Sequence, residues 1–299
     1  MSNEGPFGPY LQAGRRLAGR VRRRTLRVVE APQRHRQELA EARAHLTSVR
    51  GQLKRTQGEL KAARQELRAA KLDRDTRKLP EQVEGTVRAV RAEHLTFLTF
   101  PALRDLAVAV LDLDRNQTPG LIVEAGTALG GSAIVLAAAK SPERRMKVYD
   151  VFGLIPEPGD RDGADVHDRY QTIKAGEAKG FAGETYYGYR ENLYDEVTQS
   201  FVRLGVPPAE NEVELIQGLF QDTVNVDEPV ALAHLDGDWY ESTMTCLERL
   251  APQLVPGGRI VLDDYDMWSG CRAAVDDYFR NRIMDFRFER HQRLHVVRR

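Results

Sequence analysis

Residues 230–264 read VALAHLDGDWYESTMTCLERLAPQLVPGGRIVLDD. An apolar run ends at Asp236 and Asp238, a helix-period segment follows, and a second apolar run, RIVL, ends at Asp263 and Asp264. Short apolar runs that stop at Gly or Asp and alternate with helical patterns are what parallel strands buried on both faces look like. Working outward, LIVEAG (121–126), MKVYDVF (146–152) and VELIQG (213–218) read as further strands, and SAIVLAAAK (132–140) as a crossover helix. This βαβ alternation predicts an α/β fold with a doubly wound, Rossmann-like sheet. The ending FRFERHQRLHVVRR (286–299) alternates as a hairpin would, which closes the sheet with an antiparallel edge.

The chain has 299 residues, enough for one full-sized domain and a smaller appendage. Its formal net charge of zero hides an asymmetry: residues 1–80 hold 20 Lys+Arg against 8 Asp+Glu, and the remainder 24 against 36. Such a split marks a basic arm on an acidic body. Three regions are expected: a basic arm at 1–32, a coiled-coil helix at 33–80 and a catalytic domain at 81–299. Pro32 and Pro80 bracket the helix, and Leu39, Leu46, Leu53, Leu60 and Leu67 recur every seven residues. With these leucines at a, the d positions are Ala42, Val49, Thr56, Ala63 and Ala70, and Glu59 with Arg64 and Glu66 with Lys71 fall at g and the following e. The expected partner is a second copy of the chain. Gly51 and Gly58 weaken the helix by about 1 kcal/mol each relative to alanine.

Before the heptads, RRLAGRVRRRTLRVV (15–29) interleaves arginines with Leu and Val, a pattern able to lie on an anionic membrane surface. Aromatics for base stacking are absent from it, so nucleic acid is not the expected partner. No stretch approaches the ~18–20 apolar residues of a membrane span and no apolar signal core opens the chain, so the expected compartment is the cytosol, with peripheral membrane contact as the arm's option. Cys246 and Cys271 have neither disulfide nor zinc spacing and read as small helix residues.

The candidate chemistry gathers at strand ends. After the first strand, Glu124, Gly126 and Thr127 lead through Gly130 and Gly131 to Ser132, in a loop whose glycines would let a ligand approach the backbone. The loop is not the dinucleotide GxGxxG, and an acid there suits a cationic, phosphate-free ligand such as S-adenosylmethionine. Asp150 closes the next strand, where an acid accepts the ribose hydroxyls of an adenosine. Gln217, Gly218, Phe220 and Asp222 follow the third strand as a wall for adenine. Asp236, Asp263 and Asp264 share the carboxyl edge of the sheet, and an all-oxygen set of this kind suits Mg²⁺.

The block LDGDWYESTMTCLERLAPQLVPGGRIVLDDYDMWSGCRAAVDDYF (235–279) closely resembles the macrocin O-methyltransferase (TylF) family, metal-dependent sugar methyltransferases of natural-product pathways. The likeness extends more loosely through VEAGTALGG (123–131) and VYDVFGLIPEP (148–158) to about residue 90 and does not reach the heptads. It implies a class I methyltransferase fold with a seven-stranded sheet, S-adenosylmethionine as cofactor, with Asp236 beside it, Mg²⁺ on Asp236, Asp263 and Asp264, and Asp238 as general base. A hydroxyl is a poor nucleophile, and a metal that lowers its pKa beside a carboxylate that removes its proton answers that difficulty.

Residues 159–197 depart from the family pattern: they are polar, Gly-rich and Tyr-rich, and read as a lid or acceptor loop, with His167, Tyr186, Tyr187, Tyr189 and Arg190 as candidate sugar contacts. The expected activity is methylation of a sugar hydroxyl on a glycosylated natural product or related small molecule. Competing readings are methylation of a surface polysaccharide or lipid-linked glycan located by the basic arm, and an inactive coiled-coil scaffold.

Overall fold

The computed structural model describes residues 35–36, 39–61, 64–65 and 77–299. The basic arm expected at 1–32, together with Ala63, Glu66, Leu67, Ala70 and Lys71 of the heptads, lies outside the described residues. The chain divides into two units, residues 1–70 and 71–299. In the first, residues 39–61 form one uninterrupted helix, α1.

The second unit opens with α2 (Glu81–Ala92) and α3 (Phe100–Arg115), both ahead of the first strand. Thr99 caps α3 by accepting from the Ala102 amide at 3.4 Å, and Pro101 sits in its first turn, where a missing N–H costs nothing. Seven strands then form one sheet: β1 (Leu121–Ala125), β2 (Met146–Asp150), β3 (Val213–Gln217), β4 (Val230–Leu235), β5 (Leu254–Leu262), β6 (Phe286–Arg290) and β7 (Leu294–Arg298). Their order is β3-β2-β1-β4-β5-β7-β6, with β1 to β5 parallel and β7 antiparallel to both β5 and β6. The α/β expectation and its antiparallel C-terminal edge hold, with β7 inserted beside β5 and β6 on the outside.

The crossovers are α4 (Gly131–Ala139), α5 (Ala164–Lys174), α6 (Leu193–Arg203), α7 (Phe220–Thr223), α8 (Tyr240–Leu250) and α9 (Ser269–Phe279). Strand alternation sorts the core into two layers. Ile122, Leu232 and Val261 face α2, α3, α4 and α6, whereas Val123, Leu235, Ile260 and Leu262 face α8 and α9. Both cysteines are free and buried in the second layer, in α8 and α9 as expected. Asp105 of α3 and His295 of β7 meet at 3.0 Å, a buried polar pair between helix and sheet. Among the described residues, no helix is long and apolar enough to cross a membrane.

Residues 159–197 are more ordered than their composition suggests. They contain α5 and the start of α6, and α6 buries Leu193, Val197 and Phe201 in the first layer. The segment is therefore partly core, which a polar average conceals.

Because β2 lies on one side of β1 and β4 on the other, the chain switches direction between β1 and β4, and ligands of open α/β sheets bind above such a point. The two strand ends nearly touch there: the Asp236 amide donates to the Ala125 carbonyl at 2.9 Å, and a Cβ on Gly126 would lie 1.9 Å from the Asp236 carbonyl oxygen. Gly126 also has φ +89°, which disfavours any side chain. Gly126→Ala is expected to lower the unfolding free energy, read from urea denaturation, by well beyond the ~1–3 kcal/mol of a strained φ alone. Gly176→Ala, at φ +74° with nothing within 4 Å, is the control. Equal losses at the two positions would contradict a constraint set by the two backbones.

Candidate active site

Asp236 and Asp238 leave the end of β4, and Asp263 and Asp264 leave the end of β5 one strand away. The Asp263 amide donates to the Leu235 carbonyl at 3.0 Å, which holds the two strand ends in register. Asp238 stands at φ +58°, unusual for a residue with a side chain, and its amide donates to Asp264 Oδ2 at 3.1 Å. The turn thus folds Asp238 back toward Asp264.

Asp236, Asp238 and Asp264 each offer an oxygen within 4.8 Å of the others. Burial, then the neighbouring carboxylates, push all three pKa values well above the usual carboxylate range. Asp263 behaves differently. Burial would raise its pKa, but His234 and Arg293 hold it low, with Arg293 Nε 2.7 Å from Oδ1 and His234 Nε2 3.9 Å away, an ion pair too long for a hydrogen bond. The four acids are one ionised carboxylate tied to cations and three that strain against one another.

His234 is fully buried in β4 and joins two parts of the site. Its Nδ1 lies 2.8 Å from Glu124 Oε1, and the Thr127 hydroxyl donates to Glu124 Oε2 at 2.9 Å. Burial opposes its charge, but Asp263 and Glu124 outweigh that and raise its pKa to about 10. Glu124 is consequently engaged behind the strand ends and does not line either cavity beside them.

Asp150 does line both cavities, yet its carboxylate is already bonded: Oδ2 accepts from the amides of Thr127 at 2.7 Å and Ala128 at 3.0 Å, and Oδ1 from Phe152 at 2.7 Å. Burial pushes its pKa up against the pull of these amides. Its first task is to shape the loop after β1. The glycines of that loop admit protein as well as any ligand: a Cβ on Gly131 would lie 2.5 Å from the Leu95 carbonyl oxygen, and one on Gly130 2.8 Å from Val197 Cγ1. Close packing explains those two without a ligand. Ser132 is buried at the start of α4, and Gln217 donates to the Val151 carbonyl at 3.3 Å. The Gly218 amide donates to the Asp150 carbonyl at 2.9 Å.

Two cavities meet at the switch point. One, of about 490 Å³ with open space included, is lined by Gly126, Asp150, Val151, Leu219, Phe220 and Asp236 among others. The second, of about 930 Å³ on the same basis, contains Asp263 and Asp264 with Arg169, Tyr186, Trp239 and Trp268. Gly126, Asp150, Tyr187, Asp236 and Asp238 belong to both walls. The two cavities are thus neighbours across a wall that includes Asp236 and Asp238.

Of the candidate sugar contacts, Tyr186 and Tyr187 line the second cavity, and burial raises both phenol pKa values, leaving them neutral donors. The other three stand outside it. Tyr189 donates to the Ile173 carbonyl at 2.5 Å, Arg190 to Glu196 at 2.7 Å, and His167 is half-buried on α5. Sequence reading missed Arg169, Trp268 and Arg293. Arg169 lies on α5 over the Tyr186 ring at 5.6 Å, Trp268 lines the second cavity, and both Trp268 and Arg169 draw the Asp238 pKa back down. A periodic helix through Val166, Tyr170 and Ile173 was the available signal for Arg169, and none existed for Arg293, which reaches the site from the β6–β7 turn.

The arrangement has parallels in known proteins. The chain is 34% identical over 189 residues to 8-demethyl-8-(2,3-dimethoxy-alpha-L-rhamnosyl)-tetracenomycin-C 4'-O-methyltransferase of Streptomyces olivaceus, spanning 61% of this chain and 67% of that one. It is 29% identical over 208 residues to demethyldecarbamoylnovobiocin O-methyltransferase of Streptomyces niveus, with coverages of 66% and 72%. The solved structure of the O-methyltransferase NovP shares the fold, with a TM-score of 0.58 at 24% identity over 73% of this chain and 95% of that one. The family model for macrocin-O-methyltransferase (TylF) matches residues 33–290, so the likeness runs through the heptads, which the motifs in the sequence did not lead one to expect. On this match the chain belongs to the macrocin O-methyltransferase family and is an O-methyltransferase.

Proposed function

We propose that this enzyme methylates a sugar hydroxyl of a glycosylated natural product or related small molecule, using S-adenosylmethionine and Mg²⁺. The observation that carries the reading is the pair of cavities sharing Asp236 and Asp238 as a wall, one beside the glycine-turn end of β1 and the other beside the acids. The relatives named for glycosylated antibiotics support the acceptor class.

The residues fit both groups. Phe220, Leu219 and Val151 offer apolar surface to an adenine ring, and Asp150 and Asp236 offer acceptors beside it. Carboxylate oxygens alone make up the acid cluster, the donor set Mg²⁺ prefers, and a cation would relieve the repulsion that raises their pKa values. We assign Asp236 and Asp264 to the metal, with Asp263, kept ionised by Arg293 and His234, as the third ligand. When bound, the cofactor supplies the electrophilic methyl group and the metal acidifies the hydroxyl.

The chain's own residues do the rest. Asp238, once ionised, takes the hydroxyl proton; burial and the neighbouring acids raise its pKa, so its carboxylate is a stronger base than that of a solvated aspartate. The Asp238 backbone amide, donating to Asp264 Oδ2 at 3.1 Å, holds the turn that carries it. Tyr186, Tyr187, Trp239 and Arg169 wall the acceptor in and exclude water. A second assignment exchanges two roles: because Asp238 also lies within 4.8 Å of Asp236 and Asp264, it is the alternative third ligand, with Asp263 left to Arg293.

Transfer of labelled methyl from S-adenosylmethionine to a panel of glycosylated aromatic and macrolide acceptors tests the function. Labelling of at least one sugar is expected, and labelling confined to non-glycosylated acceptors would overturn the acceptor class. With a working acceptor, Asp264→Asn is expected to abolish turnover with cofactor affinity nearly unchanged, and chelation of divalent ions to do the same reversibly. Comparable losses of affinity and turnover would count against the metal assignment. Asp238→Asn should lower kcat by ~10²–10⁴-fold at an unaltered Mg²⁺ requirement if it is the base. A raised Mg²⁺ requirement in that variant, with none in Asp263→Asn, would exchange the two roles.

A further inference from the structure

Along α1, Leu39, Leu46, Leu53 and Leu60 are 47%, 53%, 56% and 51% exposed, and Val49 is 46% exposed. Single exposed leucines are ordinary, but residues seven apart drift only about 20° round a helix, so these form one continuous apolar stripe. Methyl transfer makes no use of it, and the stripe belongs to the unit that lacks the catalytic residues.

We propose that α1 pairs with α1 of a second copy of this chain as a parallel, in-register, two-stranded coiled coil. The register follows from what else would be buried. With the leucines at a, the d positions are Ala42, Val49 and Thr56, all small or apolar enough to enter a seam. With the leucines at d instead, the a positions would be Arg43, Arg50, Gln57 and Arg64, and desolvating three unpaired arginines opposes that choice. Gly51 and Gly58 both fall at f, the outermost position, and an added Cβ would meet nothing within 4 Å at either. They weaken the helix without interrupting the seam.

Charge selects the partner and its direction. In this register the e positions are Arg43, Arg50, Gln57 and Arg64, and the g positions include Glu59, with Glu38 and Glu66 at g in the adjoining sequence. An antiparallel pair sets e against e and g against g, which places arginine opposite arginine and glutamate opposite glutamate. A parallel pair sets each g against the following e of the other chain, which joins Glu59 to Arg64, Glu38 to Arg43 and Glu66 to Lys71. Gln52 with Gln57 is neutral, and His45 with Arg50 adds no attraction. A helix with a basic e edge and an acidic g edge is its own complement when parallel, so the occupant that fits is an identical chain.

The full-length chain tests this. Sedimentation at micromolar concentration should give twice the 33.8 kDa of one chain, and Leu46→Asp combined with Leu53→Asp should return it to one chain while S-adenosylmethionine binding is retained. Under mild oxidation, Leu39→Cys and Leu60→Cys should each form a disulfide-linked dimer alone, the native Cys246 and Cys271 being buried. Crosslinking only when the two variants are mixed would mean an antiparallel pair and overturn the proposal. A monomeric wild type, a larger oligomer, or a dimer indifferent to the double substitution would also overturn it, as would a monomer that uses the leucine stripe to bind anionic phosphatidylserine vesicles.

Discussion

Carboxylates crowded within 4.8 Å of one another at a half-buried site cannot all ionise unless something positive stands between them, and this constraint organises the site. The fold creates the crowding: β4 and β5 are parallel neighbours, so the acids that end them emerge on the same edge. The structure answers the charge unevenly. Asp263 receives Arg293 and His234, while at Asp236, Asp238 and Asp264 burial and the neighbouring acids outweigh what His234 and Arg169 offer and hold them toward protonation. An uncompensated cluster of this kind costs stability, and a divalent cation at the cluster would recover that cost.

A run of buried polar groups connects that cluster to the loop after β1. Glu124, Thr127 and His234 form a buried chain from the β1 loop to Asp263, and Asp150 ties down the amides of Thr127 and Ala128. Acids that read as ligand contacts in the sequence therefore serve partly as framework. Glu124 holds His234 charged, and a charged His234 keeps Asp263 ionised. Changing Glu124 would disturb the acids without touching a ligand.

Much of the fold was legible because a parallel strand buried on both faces has little freedom of composition. LIVEA, MKVYD and VALAHL are short, apolar and closed by Gly or Asp, and each is a strand where expected. The acids at 236, 238, 263 and 264 were legible for the same reason, since strand ends can be located by counting. Less was legible where tertiary contact decides. Residues 159–197 average as polar, yet Leu193, Val197 and Phe201 at helical spacing place α6 against the core. Gly131 looked like room for a ligand and is room for the Leu95 carbonyl. Arg293 lies 30 residues from Asp263, and nothing local to either announces that they meet. The acceptor contacts suffered most: Tyr189 and Arg190 satisfy the loop's own polar groups, while Arg169 and Trp268, on other elements, face the cavity.

On the function proposed above, the acids at the ends of β4 and β5 hold a divalent cation beside the acceptor. Calorimetric titration of Mg²⁺ into the purified, chelator-treated chain tests it most directly. One saturable site in the wild type, lost in Asp236→Asn, is the predicted result. A wild type that takes up no Mg²⁺ with or without S-adenosylmethionine, while retaining methyl transfer, would contradict it.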